Sequence, residues 1–258
     1  MLQMLEKIIR RTTRFIPIPH YGIKNVKKAL IIAPHMDDDI VGCGGIMRLL
    51  SQGGTEFHIV YVTNGCRGNS SMQYDGYLGE IRKAEAEAAV NYLIEGGNSR
   101  LFYLDMDDNS VSDHISDTGF MQILFMKEKY DAVFVPYILD IHPDHRAANY
   151  LLLNTLEQME ISDKIRIFFY EVWVPLIPNL VVDITSCFED KCKAMQFHRS
   201  QTATKQYVYM IRNLNGYRAS FANRDEIMQA EAFYQCSMEE YVYLVREVKT
   251  VCCFNTVS

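Results

Sequence analysis

The chain has 258 residues, 48% of them hydrophobic and 22% charged, with a formal net charge of -6. That length suits one large domain, or a domain with an extension, and the apolar content is sufficient for a full core. The acidic balance argues against the basic face that a nucleic-acid partner requires, and no stretch approaches the roughly 20 apolar residues that cross a bilayer.

The first fifteen residues, MLQMLEKIIRRTTRF, are basic and amphipathic. Their apolar run is too broken for a signal sequence, and they are expected to lie as a surface helix on the domain. Lys28–Ala33 reads as a buried strand and Val41–Ser51 as a helix. Phe57–Thr63 is a second strand, ended by Asn64-Gly65. Gly79–Leu93 is an Ala- and Glu-rich helix with apolar residues at helical spacing. Leu101–Leu104 is a short strand, Thr118–Tyr130 a helix, Ala132–Pro136 a fourth strand and Asp144–Glu160 a helix. Ile165–Val174 and Leu180–Ile184 read as further strands, and Lys191–His198 and Asp225–Tyr234 as helices. Asn64–Tyr77 and Arg199–Phe221 are expected to be loops that set specificity.

Continuous apolar strands imply a sheet covered on both faces. Strands that alternate with helices imply an α/β class, a Rossmann-like three-layer fold with a mostly parallel central sheet. Ligands in such sheets bind beyond the carboxyl ends of the strands, so chemistry is expected just after the first, second and fourth.

Two segments rich in His and Asp stand there. The first strand runs into His35-Met36-Asp37-Asp38-Asp39, and the fourth into Asp140-Ile141-His142-Pro143-Asp144-His145. Imidazole and carboxylate are good zinc ligands, and a catalytic zinc takes three protein ligands with a position left for water. His35, Asp38 and one histidine of the second segment fill that need. Asp37, beside a ligand, can take the proton from the water. The other histidine can stabilise an oxyanion or protonate a leaving group. Three adjacent carboxylates repel one another unless a cation compensates; the plainer alternative is a solvated turn with Asp39 as a helix cap. Gly42, Gly44 and Gly45 are expected to let the backbone pass close to the site.

The seven cysteines, Cys43, Cys66, Cys187, Cys192, Cys236, Cys252 and Cys253, are odd in number and form no CxxC pair. They read as reduced thiols of a cytoplasmic protein, mostly packed in the core. Core or surface roles are expected of His20, His58, His114 and His198, with a structural hydrogen bond for His198. Trp173 could line a cleft or pack in the core, and Tyr207, Tyr209 and Tyr217 could stack on a sugar or cover the core. Arg67, after the second strand, lies close enough by topology to touch substrate.

PHMDDDIVGCGG resembles the first motif of the LmbE-like, or PIG-L, zinc-dependent N-deacetylase family, and HPDHRAA resembles its second. TNGCRG with EIRKAEAEAA is similar to the family's glycine-rich loop and arginine-bearing helix. YEVWVP, VVDIT, FHRSQ and AEAF are weaker likenesses, and the whole runs from Lys28 to Phe233. The resemblance implies His35, Asp38 and His145 as ligands of Zn2+, with another divalent metal left open. It implies Asp37 as general base, His142 as the second catalytic group, Asp144 orienting His142 or the ligand shell, and Arg82 contacting substrate. Met36 stands where the family has proline, and Asp39 where it has glutamate.

The resemblance further implies removal of the acetyl group from an N-acetylated amino sugar or sugar conjugate of the N-acetylglucosaminyl type. Residues 1–258 are then one domain: 1–27 an N-terminal extension, 28–160 the core with the metal site, and 161–258 the part completing the substrate cleft. A homo-oligomer is left open. The rival expectations are another metal-dependent amidase or esterase on the same site, and an inactive sugar- or nucleotide-binding module. No GxGxxG turn follows the first strand, which argues against dinucleotide binding.

Overall fold

The computed structural model describes residues 23, 25–68, 77–94, 96–159, 164–222 and 224–254, the last four of these by backbone alone. The basic N-terminal stretch, His20 and the side chains of Cys252 and Cys253 lie outside the described residues. The strands are β1 (Lys28–Ala33), β2 (Glu56–Thr63), β3 (Ser99–Met106), β4 (Ala132–Pro136), β5 (Arg166–Tyr170), β6 (Leu180–Asp183) and β7 (Ala230–Ser237). The α-helices among the described residues are α1 (Asp38–Gln52), α2 (Leu78–Leu93), α3 (Gly119–Lys127), α4 (Pro143–Glu157), α5 (Phe188–Phe197), α6 (Arg199–Thr202), α7 (Tyr207–Ala219) and α8 (Met238–Phe254).

The seven strands make one sheet in the order β3-β2-β1-β4-β5-β7-β6. Strands β1 to β5 pair in parallel, and β7 runs antiparallel to both β5 and β6. Alternate residues of each central strand enter opposite cores, because side chains point to opposite faces with a period of two. Ala29, Ile31 and Ala33 of β1 pack with α1, α2 and α5. Leu30 and Ile32 pack with α3, α4 and α8 on the other face. The chain steps outward from β1 through β2 to β3, then returns to place β4 on the other side of β1. The boundary between β1 and β4 is therefore the topological switch point of the sheet, where a crevice opens at the carboxyl ends.

Two sequence expectations fail. Asp225–Tyr234 is not a helix. Ala and Glu favour helix intrinsically, but Ala230–Tyr234 is buried and pairs on both sides, so tertiary hydrogen bonding overrides propensity. Residues 199–221 are mostly helical rather than a loop. Gly42 and Gly45 also have a different use from the expected one. They lie inside α1, where a Cβ would come within 2.1 Å of the Tyr170 ring and 2.5 Å of Ile184, so they let the helix pack closely on the sheet layer. Glu231 of β7 pins that helix: its oxygens accept from the Gly45 and Ile46 N–H groups at 2.7 and 2.8 Å, and Lys191 Nζ donates to it at 2.6 Å. Among the described residues no helix is long and apolar enough to cross a membrane, and Cys43, Cys187, Cys192 and Cys236 are buried.

Candidate metal centre and cleft

The turn after β1 brings the first motif to the switch point. Asp37 N and Asp38 N both donate to the His35 carbonyl, and Asp37 caps α1 so that Asp38 and Asp39 fill its first turn. Negative side chains are favoured there by the helix dipole. The second motif starts α4: His142 is its N-cap, accepting through Nδ1 from Asp144 N at 3.2 Å, and Pro143 follows at the first helical position.

Three donor atoms converge between the motifs. Asp38 Oδ2 lies 3.2 Å from His35 Nδ1 and 3.2 Å from His145 Nε2, and the two nitrogens are 3.3 Å apart. Bonds of about 2.05 Å at a tetrahedral angle require ligands about 3.3 Å apart. This triangle thus has the edges of one face of a zinc tetrahedron. His142 borders it: ring nitrogens of His35, His142 and His145 all lie within 4.8 Å of one another, so the three imidazoles also form a group that can hold a metal ion. The two alternatives share His35 and His145. The set with Asp38 has its distances matched edge by edge, and the three-histidine set is looser.

Carboxylates face the outer side of each ring. Asp144 Oδ2 is 3.2 Å from His35 Nε2 and accepts from Asn109 N at 2.7 Å. Its distance to His142 Nδ1 is 3.9 Å, so it orients His35 rather than His142. Asp140 Oδ1 lies 3.4 Å from His145 Nδ1, and its two oxygens also take His142 N and Trp173 N. A proton on the outer nitrogen leaves the inner lone pair of each ring aimed at the shared point. His142 accepts at Nδ1, so its neutral ring carries the proton on Nε2.

The charges respond accordingly. Burial disfavours a charged His35, but Asp144 and Asp38 outweigh it and raise the pKa to about 9. Burial likewise opposes Asp38 and Asp140 at His145, which is raised to about 10. Burial and its two positive neighbours lower His142 to about 4. Asp39 stands behind the site with Tyr61 OH donating to it at 2.9 Å, and burial with the charges of Asp37 and Asp38 raises its pKa to about 7.

Asp37 faces an open cleft together with His35, Asp38 and His142. Arg67 and Arg82 line the same cleft. Arg82 is only 2% exposed. Its guanidinium donates to the Gly65 and Met36 carbonyls and sits 3.3 Å from Asp37 Oδ1, so it braces the Asp37 carboxylate as well as bordering the cleft. Gly65 at φ +67° and Gly68 close over it; a Cβ on Gly68 would lie 2.3 Å from Arg82 Nη1.

The far wall is Trp173, Gln201, Lys205 and Tyr207. The sequence offers Trp173 and Tyr207 as alternatives between cleft and core; Lys205, Gln201 and the Asp140 contact with His145 carry no signal of their own. His198, in the same segment, is fully buried, but neither ring nitrogen has a hydrogen-bond partner. The structural hydrogen bond expected of it is absent from its ring, and burial lowers its pKa to about 4.

Residues 30–156 match the PIG-L family, described as GlcNAc-PI de-N-acetylase. The chain is 27% identical over 194 residues to a diacetylchitobiose deacetylase of Thermococcus kodakarensis, covering 69% of this chain and 71% of the relative. Its structure is similar to that of N,N'-diacetylchitobiose deacetylase from Pyrococcus horikoshii, with a TM-score of 0.70, 25% identity and 92% of each chain covered. It also shares its fold with a conserved protein of Thermus thermophilus, at a TM-score of 0.66, 24% identity, 81% of this chain and 94% of the other. The matched segment contains both His/Asp motifs and the cleft arginines, and it is therefore a PIG-L, or LmbE-like, domain.

Proposed function

We propose that the chain is a zinc-dependent deacetylase that hydrolyses the acetamide of an N-acetylated amino sugar. The observation that carries this reading is the triangle of His35 Nδ1, Asp38 Oδ2 and His145 Nε2, with edges of 3.2, 3.2 and 3.3 Å beside an open cleft. Two nitrogens and one oxygen suit zinc better than calcium or magnesium, which prefer all-oxygen shells. A divalent ion held there supplies a Lewis acid for the acyl carbonyl and lowers the pKa of water toward about 7.

This chain's own residues would then do the following. Asp37 accepts the water proton, held in place by Arg82. The Nε2–H of His142 donates to the oxygen that becomes negative as water adds to the carbonyl. The C–N bond breaks, the amine leaves with the proton taken up by Asp37, and acetate remains. Asp144 and Asp140 keep the rings of His35 and His145 aimed. Trp173 and Tyr207 offer an aromatic wall for a sugar ring.

The test is acetate release from N-acetylglucosamine, its 1-phosphate and N,N'-diacetylchitobiose, using protein stripped by chelator and then reloaded with zinc. Release that returns with zinc supports the reading. A reloaded protein containing one zinc per chain that releases no acetate from any of them overturns it.

A further inference from the structure

The two edges of the sheet are built differently. At one edge β6 is four residues long, and Pro178 stands just before it. A short strand beside a proline offers little backbone to another chain. At the other edge β3 is eight residues long, with the sequence SRLFYLDM, and holds neither proline nor lysine. Among the described residues it pairs with β2 alone, so its outer row of N–H and C=O groups faces away from the sheet. Its register with β2 is regular from Ser99 to Tyr103 and slips before Met106, where Asp105 takes φ +52°.

The side chains add to that open edge. Phe57–Thr63 of the adjacent β2 is buried throughout, whereas no residue of β3 is. Leu101 and Tyr103 lean on one core, and Phe102 and Leu104 on the other, each only partly covered. Phe120 of α3 packs on Phe102 with ring centroids 5.6 Å apart, and Ile123 lies one turn further along the helix; both are exposed. An apolar patch thus runs from the strand onto the helix above it. Opposite charges stand at its two ends. Arg100 is exposed and only loosely engaged, 3.6 Å from Glu128 and 3.8 Å from Glu56. Asp105 is exposed and 2.8 Å from Lys83. Such surface pairs contribute little and leave both charges open to a second partner.

A strand of this pattern complements itself when reversed. Antiparallel pairing of two β3 strands sets the Arg100 end of each against the Asp105 end of the other and keeps Leu101–Leu104 at the centre. Parallel pairing would set like charges side by side. A two-fold axis normal to the sheet performs the reversal, closes the assembly and brings both α3 helices to the same face. We infer that two copies of this chain pair antiparallel along β3, joining their sheets into one and covering Leu101–Leu104 together with Phe120 and Ile123 of α3. Main-chain hydrogen bonds along the edge supply affinity, and the apolar and charged side chains set the register.

Light scattering on size-separated protein tests this through the mass in solution. The parent should contain an even number of chains at micromolar concentration. Arg100→Glu brings two acidic ends together and Asp105→Lys two basic ends, so each variant alone should fall to half the parent mass. An equimolar mixture of the two variants places opposite charges at both ends again, and the parent mass should return. That return separates a broken interface from a damaged fold, because each variant repairs the other. A parent of single chains overturns the inference and gives the edge to a different partner. A parent mass kept by both variants, or a mixture no heavier than its components, overturns it as well.

Discussion

At the amino-terminal edge of the sheet, His58 is buried with Nε2 2.8 Å from Glu56 and Nδ1 2.8 Å from the Tyr130 hydroxyl, and Lys28 bridges Glu56 and Glu128. At the carboxyl edge, His35 and His145 stand among Asp38, Asp140 and Asp144. Both regions hold buried histidine and several carboxylates on the ends of neighbouring strands. In the first, Lys28 supplies a fixed positive partner for the carboxylates, and burial lowers the pKa of His58. In the second, two ring nitrogens and a carboxylate oxygen converge on one point, no lysine or arginine bridges Asp38, Asp140 and Asp144 among the described residues, and the carboxylates raise the pKa of both imidazoles. Charge density alone therefore does not mark a site; convergence of acceptors without a built-in cation does.

Substitutions can break this comparison in order of size. His145→Ala removes one corner of the triangle, and metal content should drop from about one ion per chain to less than roughly a tenth, with activity at background. Elemental analysis checks this, and retention of a full equivalent of zinc would remove His145 from the ligand set. Asp37→Asn should keep the ion and lower kcat by about 10²- to 10⁴-fold, the usual worth of a general base; a kcat within twofold of the parent would reassign the base. Asp140→Asn disturbs the outer side of His145 and replaces one of the oxygens that accept from the His142 and Trp173 N–H groups, so a chelator titration should find metal affinity weaker by about 10- to 100-fold.

Arg82→Lys sharpens the picture of the brace. A single ammonium cannot serve Gly65, Met36 and Asp37 together, so kcat should fall about tenfold with metal content unchanged. An effect on KM alone would make Arg82 a substrate contact instead. The smallest effect belongs to the opposite edge. His58→Phe should cost about 1–3 kcal/mol in a denaturant titration by stranding Glu56 and the Tyr130 hydroxyl, with kcat per folded molecule unchanged. Because burial holds the folded pKa of His58 below its ordinary value of 6.5, the unfolded chain binds more protons there, and stability in the parent should decline as pH falls through 6.5. The variant should lose that slope.

The parallel half of the sheet and the position of both motifs were legible because apolar strands of five to eight residues and helical periodicity are local signals. The residues after β1 and β4 follow from them through the switch-point rule. What lay beyond is tertiary. Ala230–Ser237 carries helix-favouring Ala and Glu, and only its place between β5 and β6 makes it a strand. Asp140 looks like any loop aspartate until α4 turns His145 back onto it. Lys205 and Gln201 reach the cleft through the packing of α6 against α2, anchored by Glu85 accepting from Ser200 N at 2.8 Å and Ser200 Oγ at 2.7 Å. Nothing in the spacing of those residues encodes that meeting.

Anomalous diffraction at the zinc edge from metal-loaded crystals decides whether His35, Asp38 and His145 grip a single ion. One peak is expected about 2.0–2.2 Å from His35 Nδ1, Asp38 Oδ2 and His145 Nε2, with His142 outside bonding distance. A peak bonded to His142 in place of Asp38, or no peak between the two motifs, would contradict it.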